Sequence, residues 1–417
     1  MTDNLRHSFF VKRKHFIRKQ ILPDEDYCVL KDSAVASRLR KLQPSCIRNI
    51  FSVAQRIPGV INLGIGEPDF APPANVINAA KQALSEGKTH YPPSAGIPRL
   101  CEAISVKAKH DYNLEYDPNC EVLITVGATE AVFLALMATL NPEDEVLLLD
   151  PGFVCYEPDV FLAGGKPVSV PVHKRDGFGL DVEAVMSHVT ERSRVIIINS
   201  PNNPTGAVFS HDDLLKLSKL AVERDLIVIS DEVYEKIVYD DAKHFCLATF
   251  PGMRERTVVV NSFSKTYAMT GFRVGYATGP PELIAPMVKV HQFSVACVDG
   301  AAQYAAIAAL EGSQECVSTM VTAFAKRRKL MHSRINEIEG LSCALPKGAF
   351  YVFADMHRFK KDSTAFSDYL INEGRVAVVP GCAFGKAGEG HIRLSYATAY
   401  EKIEEAMDRI EKAVKKL

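Results

Sequence analysis

A chain of 417 residues exceeds what one hydrophobic core usually organises, so an enzyme-sized protein with two lobes is expected. Hydrophobic residues at 47% and charged residues at 24% exclude wholesale disorder. With 49 Lys plus Arg against 50 Asp plus Glu, no overall field attracts nucleic acid or an anionic membrane, and a small-molecule partner is favoured.

The first twenty residues, MTDNLRHSFFVKRKHFIRKQ, carry six Lys or Arg against one acid and read as a solvated extension. They lack the apolar core and small-residue cleavage site of a secretory signal, and no stretch approaches the roughly 18 apolar residues of a membrane span. The ten cysteines are far apart and form no C-x-x-C pair, which argues against zinc, and against any metal, as well as against a disulfide framework. They read as thiols of a reducing cytoplasm. After the acid cluster Asp24-Glu25-Asp26, a first helical pattern starts near Ala36, with Leu39, Leu42 and Ile47 on related faces.

From about residue 120, short β-branched runs alternate with amphipathic stretches. The runs are VLITV at 122–126, VLLLD at 146–150, VIIIN at 195–199, IVISD at 227–231 and VVVNS at 258–262. Each is almost continuously apolar, as in strands covered on both faces. Helical patterns such as 129–140 and 211–224 lie between them, so the rhythm predicts an α/β fold with a mostly parallel central sheet flanked by helices. The C-terminal third reads as a smaller α+β lobe. It has a helix near 314–338, strand signals at 349–354 and 376–379, and a final helix from about 399. The basic run Lys326-Arg327-Arg328-Lys329 reads as a solvated helix face.

Common sites fail on inspection. Gly64-Ile65-Gly66 is followed by Asp69 where a dinucleotide fingerprint needs its third glycine. The stretch from Gly381 to Lys386 is one residue short of a P-loop and lacks its hydroxyl residue. No H-E-x-x-H or G-x-S-x-G occurs. What remains is a row of polar residues just after the predicted strands, where open α/β sheets bind ligands. These are Ser200-Pro201-Asn202-Asn203-Pro204-Thr205-Gly206, Asp231-Glu232-Val233-Tyr234, and Phe263-Ser264-Lys265 with Arg273 eight residues on. An amide, a carboxylate, a phenol, an amine and a guanidinium at one sheet edge suit a ligand that is both a pyridine and a phosphate.

From about residue 36 to the end, these segments resemble the class I and II aminotransferases of fold type I, which use pyridoxal 5′-phosphate. The resemblance implies an N-terminal extension over 1–35, an arm with part of the small domain over 36–75, a large cofactor-binding domain over 76–310, and a small domain over 311–417. It also implies roles. Lys265 holds the cofactor as a Schiff base and shuttles a proton, as the chemistry requires of a primary amine. Asp231 keeps the pyridine nitrogen protonated, while Tyr234 and Asn203 bind the ring hydroxyl oxygen and Phe153 stacks on the ring. Ala128 and Thr129, at the start of a helix, bind the phosphate with Ser262 and Arg273.

Arg393, in His391-Ile392-Arg393-Leu394-Ser395-Tyr396, matches the arginine that grips the substrate α-carboxylate, and Gly66 matches a backbone contact to substrate. Tyr91, in Thr89-His90-Tyr91-Pro92-Pro93, matches a tyrosine that reaches the cofactor of the other subunit, so a homodimer with shared sites is implied. The segments 66–70, 89–98 and 380–390 look most like archaeal aromatic aminotransferases, with 2-oxoglutarate as the usual acceptor. Relatives dedicated to aspartate carry a lysine at the position of Thr129 and a tryptophan at that of Phe153, which favours an aromatic or broad donor over aspartate. Two alternatives stay open. One is a different reaction of the same cofactor, such as β-elimination or decarboxylation. The other is a cofactor-sensing regulator, for which the roughly 35 residues before the enzyme region are too few to form a DNA-binding domain.

Overall fold

The β-branched runs form the middle of a seven-stranded sheet in the computed structural model, which describes residues 36–40, 42, 54, 56–173 and 177–417. Its strands are β2 (Val122–Thr125), β3 (Glu145–Asp150), β4 (Lys166–Pro171), β5 (Ser193–Asn199), β6 (Ile227–Asp231), β7 (Thr257–Ser262) and β8 (Gly275–Thr278); a short strand β1 (Ile61–Asn62) precedes them. The order across the sheet is β2-β8-β7-β6-β5-β3-β4. The neighbours from β4 to β7 are parallel, and β8 runs antiparallel to both β7 and β2.

Alternation along each strand builds two cores. Leu147, Leu149, Ile196, Ile198 and Val228 pack on one face with Leu214 and Leu217 of the helix His211–Glu223. Val146, Leu148, Val195, Ile197 and Ile229 pack on the other with the helices Gly127–Thr139 and Pro281–Ser294. Because successive side chains leave opposite faces and both faces are covered, a run such as VIII at 195–198 must be apolar throughout. Burying each such side chain contributes about 1.5–3 kcal/mol.

Two strands of the seven-stranded sheet were not anticipated. β4, KPVSVP, lies at the sheet edge with its first residue exposed, so it is neither long nor continuously apolar. β8, GYAT, is four residues long. The expected helix from Ala36 is observed over Ser37–Arg40, within the unit Met1–Gln43, while Ile47 lies outside the described residues.

Toward the C-terminus, β9 (Tyr351–Asp355), β11 (Val379–Pro380) and β12 (His391–Ser395) form an antiparallel sheet in the order β11-β12-β9, and β10 (Val376–Ala377) pairs with β1. The helix Tyr400–Val414 turns Ile403, Met407 and Ile410 onto the same core as the helix Glu315–Glu337. The basic run is a solvated face only at Lys326 and Lys329, which are exposed, while Arg327 and Arg328 turn inward. Arg328 is 1% exposed and donates to the carbonyl of Pro346 at 2.9 Å and to Asp240 at 2.5 Å, because position 328 falls on the stripe shared with Phe324 and Met331. Arg327 forks onto Asp69 at 2.7 and 3.0 Å. Among the described residues, no helix is long and apolar enough to cross a membrane.

Candidate active site

Parallel pairing aligns the carboxyl ends of β5, β6 and β7, with Asn199 opposite Asp231 in register. Asp231 is buried there. Its Oδ2 accepts from the Tyr156 hydroxyl at 2.6 Å, and its Oδ1 from the Val233 amide at 3.3 Å. Burial pushes its pKa up to about 6, against the two hydrogen bonds, which favour the anion. Such a carboxylate gains from a cationic partner.

Lys265 sits in the single helical turn Phe263–Thr266 that leaves β7, so it stands beside the end of β6. Nζ donates to the carbonyl of Gly66 at 2.5 Å. Burial is the largest influence on the amine; with Arg393 and Arg273 it outweighs Glu67 and Asp231 and lowers the pKa to about 8. An amine this close to neutrality offers an unprotonated nucleophile that an exposed lysine does not.

At the start of the helix Gly127–Thr139, no side chain caps the first turn. Its amides and dipole form a positive corner. Arg273, itself left-handed at φ 55°, brings its guanidinium there and donates to the carbonyls of Val126 at 3.3 Å and Thr270 at 3.1 Å. A Cβ on Gly127 would lie 2.4 Å from Arg273 Nη2, and one on Gly275 would lie 2.7 Å from the Ala128 nitrogen. Both positions need glycine for that approach. Among the described residues, no carboxylate pairs with Arg273.

Arg393 is 1% exposed on β12. It donates to Asn203 Oδ1 at 2.9 Å and to the Gly64 carbonyl at 2.6 Å, and lies 4.4 Å from the Tyr351 ring centre. No carboxylate neutralises it among the described residues, and its Nε has no acceptor there. A buried guanidinium with unused donors is built to receive a carboxylate.

These groups converge on one cavity of about 370 Å³, which is lined by every residue to which the resemblance gives a role except Tyr91. Tyr91 stands 90% exposed. The carbonyl of Gly66, the residue expected to offer substrate a backbone contact, is taken up by Lys265. Two lining tyrosines escaped the sequence reading. Tyr156 braces Asp231, and Tyr351 hydrogen-bonds the Tyr234 hydroxyl at 2.9 Å. Neither lies in a polar motif. Only their pairing across 75 and 117 residues of chain shows their use.

The profile of the family described as "Aminotransferase class I and II" matches residues 58–410. The chain belongs to this family. This aminotransferase is 50% identical to the aspartate aminotransferase of Pyrococcus abyssi over 92% of its own length and 98% of the relative's. It is 47% identical to aromatic-amino-acid aminotransferase 2 of Thermococcus litoralis, over 92% and 98% of the two chains. The crystal structure of an aromatic aminotransferase from Pyrococcus horikoshii OT3 matches with TM-score 0.84 and 47% identity, covering 89% of this chain and 99% of that one. The enzyme is therefore a pyridoxal-phosphate-dependent transaminase.

The Tyr156 contact leads to a prediction. Tyr156→Phe removes one hydrogen bond to an ionised group, which is worth about 1.5–3 kcal/mol. Turnover should fall roughly ten- to a hundredfold, with the pH profile of turnover shifted as Asp231 becomes harder to ionise. Steady-state rates across pH would show this, and an unchanged profile would mean that Tyr156 only fills space.

Proposed function

We propose that the aminotransferase moves the amino group of an aromatic or broadly accepted L-amino acid to 2-oxoglutarate, giving the 2-oxo acid and glutamate. The residues fit the cofactor: a buried carboxylate short of a cation, an amine with a lowered pKa, and an uncapped helix start beside an arginine that has no carboxylate partner among the described residues. Bound there, pyridoxal 5′-phosphate supplies the aldehyde that captures the amino group and the ring that takes up the electrons of the substrate α-carbon. Lys265 holds the aldehyde and then moves the proton at that carbon. Asp231 holds a proton on the pyridine nitrogen. Tyr234, held by Tyr351, and Asn203 bind the ring hydroxyl oxygen, and Phe153 covers a ring face. Arg273, Ser262 and the amides of Ala128 and Thr129 bind the phosphate. Arg393 grips the substrate α-carboxylate, with Gly66 beside it.

The observation that carries the donor preference is that Thr129 and Phe153 line the cavity where relatives dedicated to aspartate carry a lysine and a tryptophan. Among the described residues, the cationic side chains lining the cavity are Lys265, Arg273 and Arg393, and each already has a task. Thr129 and Phe153 add none. Phenylalanine or tyrosine should thus exceed aspartate in kcat/KM by at least about tenfold with 2-oxoglutarate as acceptor. A screen of donors by glutamate release tests this, and a preference for aspartate overturns it. No glutamate with any donor would favour another reaction of the cofactor.

For Arg393→Lys, charge is kept and the planar fork is lost. We expect kcat/KM to fall about a hundredfold for amino and keto substrates alike, since both carry the α-carboxylate. Unchanged values for either half-reaction would remove Arg393 from substrate binding.

We further propose a homodimer with shared sites. Residues 76–310 are its large domain, 311–417 its small domain, 36–75 its arm and 1–35 an extension. Support comes from Tyr91 and Phe293, whose side chains stand 90% and 88% exposed in one chain. Tyr91 then contacts the phosphate of the neighbouring site. Mixing Lys265→Ala with Tyr91→Ala protein, once subunits exchange, should restore about a quarter of all sites to wild-type composition. Activity no higher than the mean of the parents would refute the shared site. The buried thiols of Cys101 and Cys246 support a reducing, cytoplasmic setting.

A further inference from the structure

We infer that Asp355, His357 and His391 form a site for a divalent transition-metal ion of the zinc type, which clamps the end of β9 to the start of β12. None of the three lines the cavity described above.

The sheet register sets up the pair. His391 and Asp355 are directly opposed across β12 and β9, so their side chains share a face. After β9 ends, the chain turns and brings a second imidazole back. The His357 amide donates to Asp355 Oδ1 at 3.0 Å, and His357 Nδ1 lies 3.1 Å from the same oxygen. Gly390, at φ +77°, makes room for that ring, since a Cβ there would stand 2.1 Å from His357 Nε2. One ligand atom from each of the three residues falls within 4.8 Å of the others.

The ring geometry suits a shared ion. The imidazole centres are 5.3 Å apart and the rings are nearly perpendicular. Two imidazoles on one tetrahedral zinc, each bound at about 2.0 Å, hold their centres roughly 5 Å apart. His391 is also held by its surroundings. Its ring stacks on Phe353 at 4.8 Å, and its Nδ1 lies 3.2 Å from the Glu389 carbonyl. A proton on Nδ1 directed at a backbone carbonyl puts the lone pair on Nε2, the usual outer-shell arrangement of a metal-binding histidine. His357, with 63% of its side chain exposed, leaves an open side for water ligands. Two nitrogens and one carboxylate select zinc, cobalt or nickel over calcium or magnesium. The grouping Glu232–Glu235–His244 differs, because Lys107 already neutralises Glu235 at 2.6 Å.

The test uses full-length holoenzyme, stripped on a chelating resin and dialysed against micromolar Zn²⁺. Elemental analysis should find about one ion per chain, with a melting temperature that rises with Zn²⁺. His357→Ala, which removes an exposed ring, and Asp355→Asn should each bind at least about tenfold more weakly. Their kcat and KM without the ion should be unchanged. Cobalt substitution separates this site from the cysteines, because it should give no thiolate-to-metal charge-transfer band. No bound ion, equal retention by both variants, or a thiolate band would overturn the proposal.

Discussion

Lys265→Ala is expected to lower turnover on the order of a millionfold, the scale of losing a catalytic nucleophile. Among the described residues no other lysine lines the cavity, so no other amine there is placed to hold the aldehyde or to move the proton at the substrate α-carbon. Cofactor should still bind through the phosphate corner at Arg273 and Ser262, because those contacts are independent of the amine. Stopped-flow rates with saturating donor, together with the absorbance of bound cofactor, separate the two effects. A variant within tenfold of wild type would refute the role of Lys265.

Asp231→Asn should have two opposite effects. Turnover should fall about a hundred- to a thousandfold, the scale of one lost electrostatic stabiliser, since the amide cannot hold the pyridine proton by charge. Stability without cofactor should rise. The folded pKa of about 6 lies above the ordinary 3.8, so the native state binds more protons than the unfolded one between those values. Stability from the protonated form is complete below the lower pKa and is lost as pH rises through 6. An asparagine, which does not ionise, keeps that stability at pH 8, with a difference of up to about 3 kcal/mol. Melting curves of cofactor-free wild type and variant at pH 4 and pH 8 would show curves close together at the first and separated at the second. A turnover loss under tenfold would mean that Asp231 does not face the pyridine.

Much of the fold was legible because burial on both faces leaves an unmistakable mark. β5 to β7 each carry an unbroken apolar run, at 195–198, 227–229 and 258–260, which only a covered strand needs. β4 was not, since an edge strand interrupted by prolines carries neither a continuous run nor a clean alternation. Arg328 misled for a related reason. Charge patterning predicts solvent, but the stripe through Phe324 and Met331 buries whatever occupies position 328, and the Pro346 carbonyl and Asp240 accept from its Nη1 and Nη2. In the site, Lys265, Asp231 and Asn203 stand in local motifs at strand ends, so sequence alone brings them together. Tyr351 and Tyr156 act through single contacts to distant segments, which no local pattern encodes. The carbonyl of Gly66 carries even less signal, because any residue offers one and only the fold directs it at Lys265.

The most direct test of the central claim is chemical. Borohydride reduction of the purified enzyme fixes the cofactor to whichever amine holds it, and digestion with mass spectrometry reads the position. The pyridoxyl group should lie on Lys265 and on no other lysine, and should be missing from Lys265→Ala protein treated in the same way. The same label on Lys107, Lys236 or any other lysine, with Lys265 unmodified, would contradict the assignment.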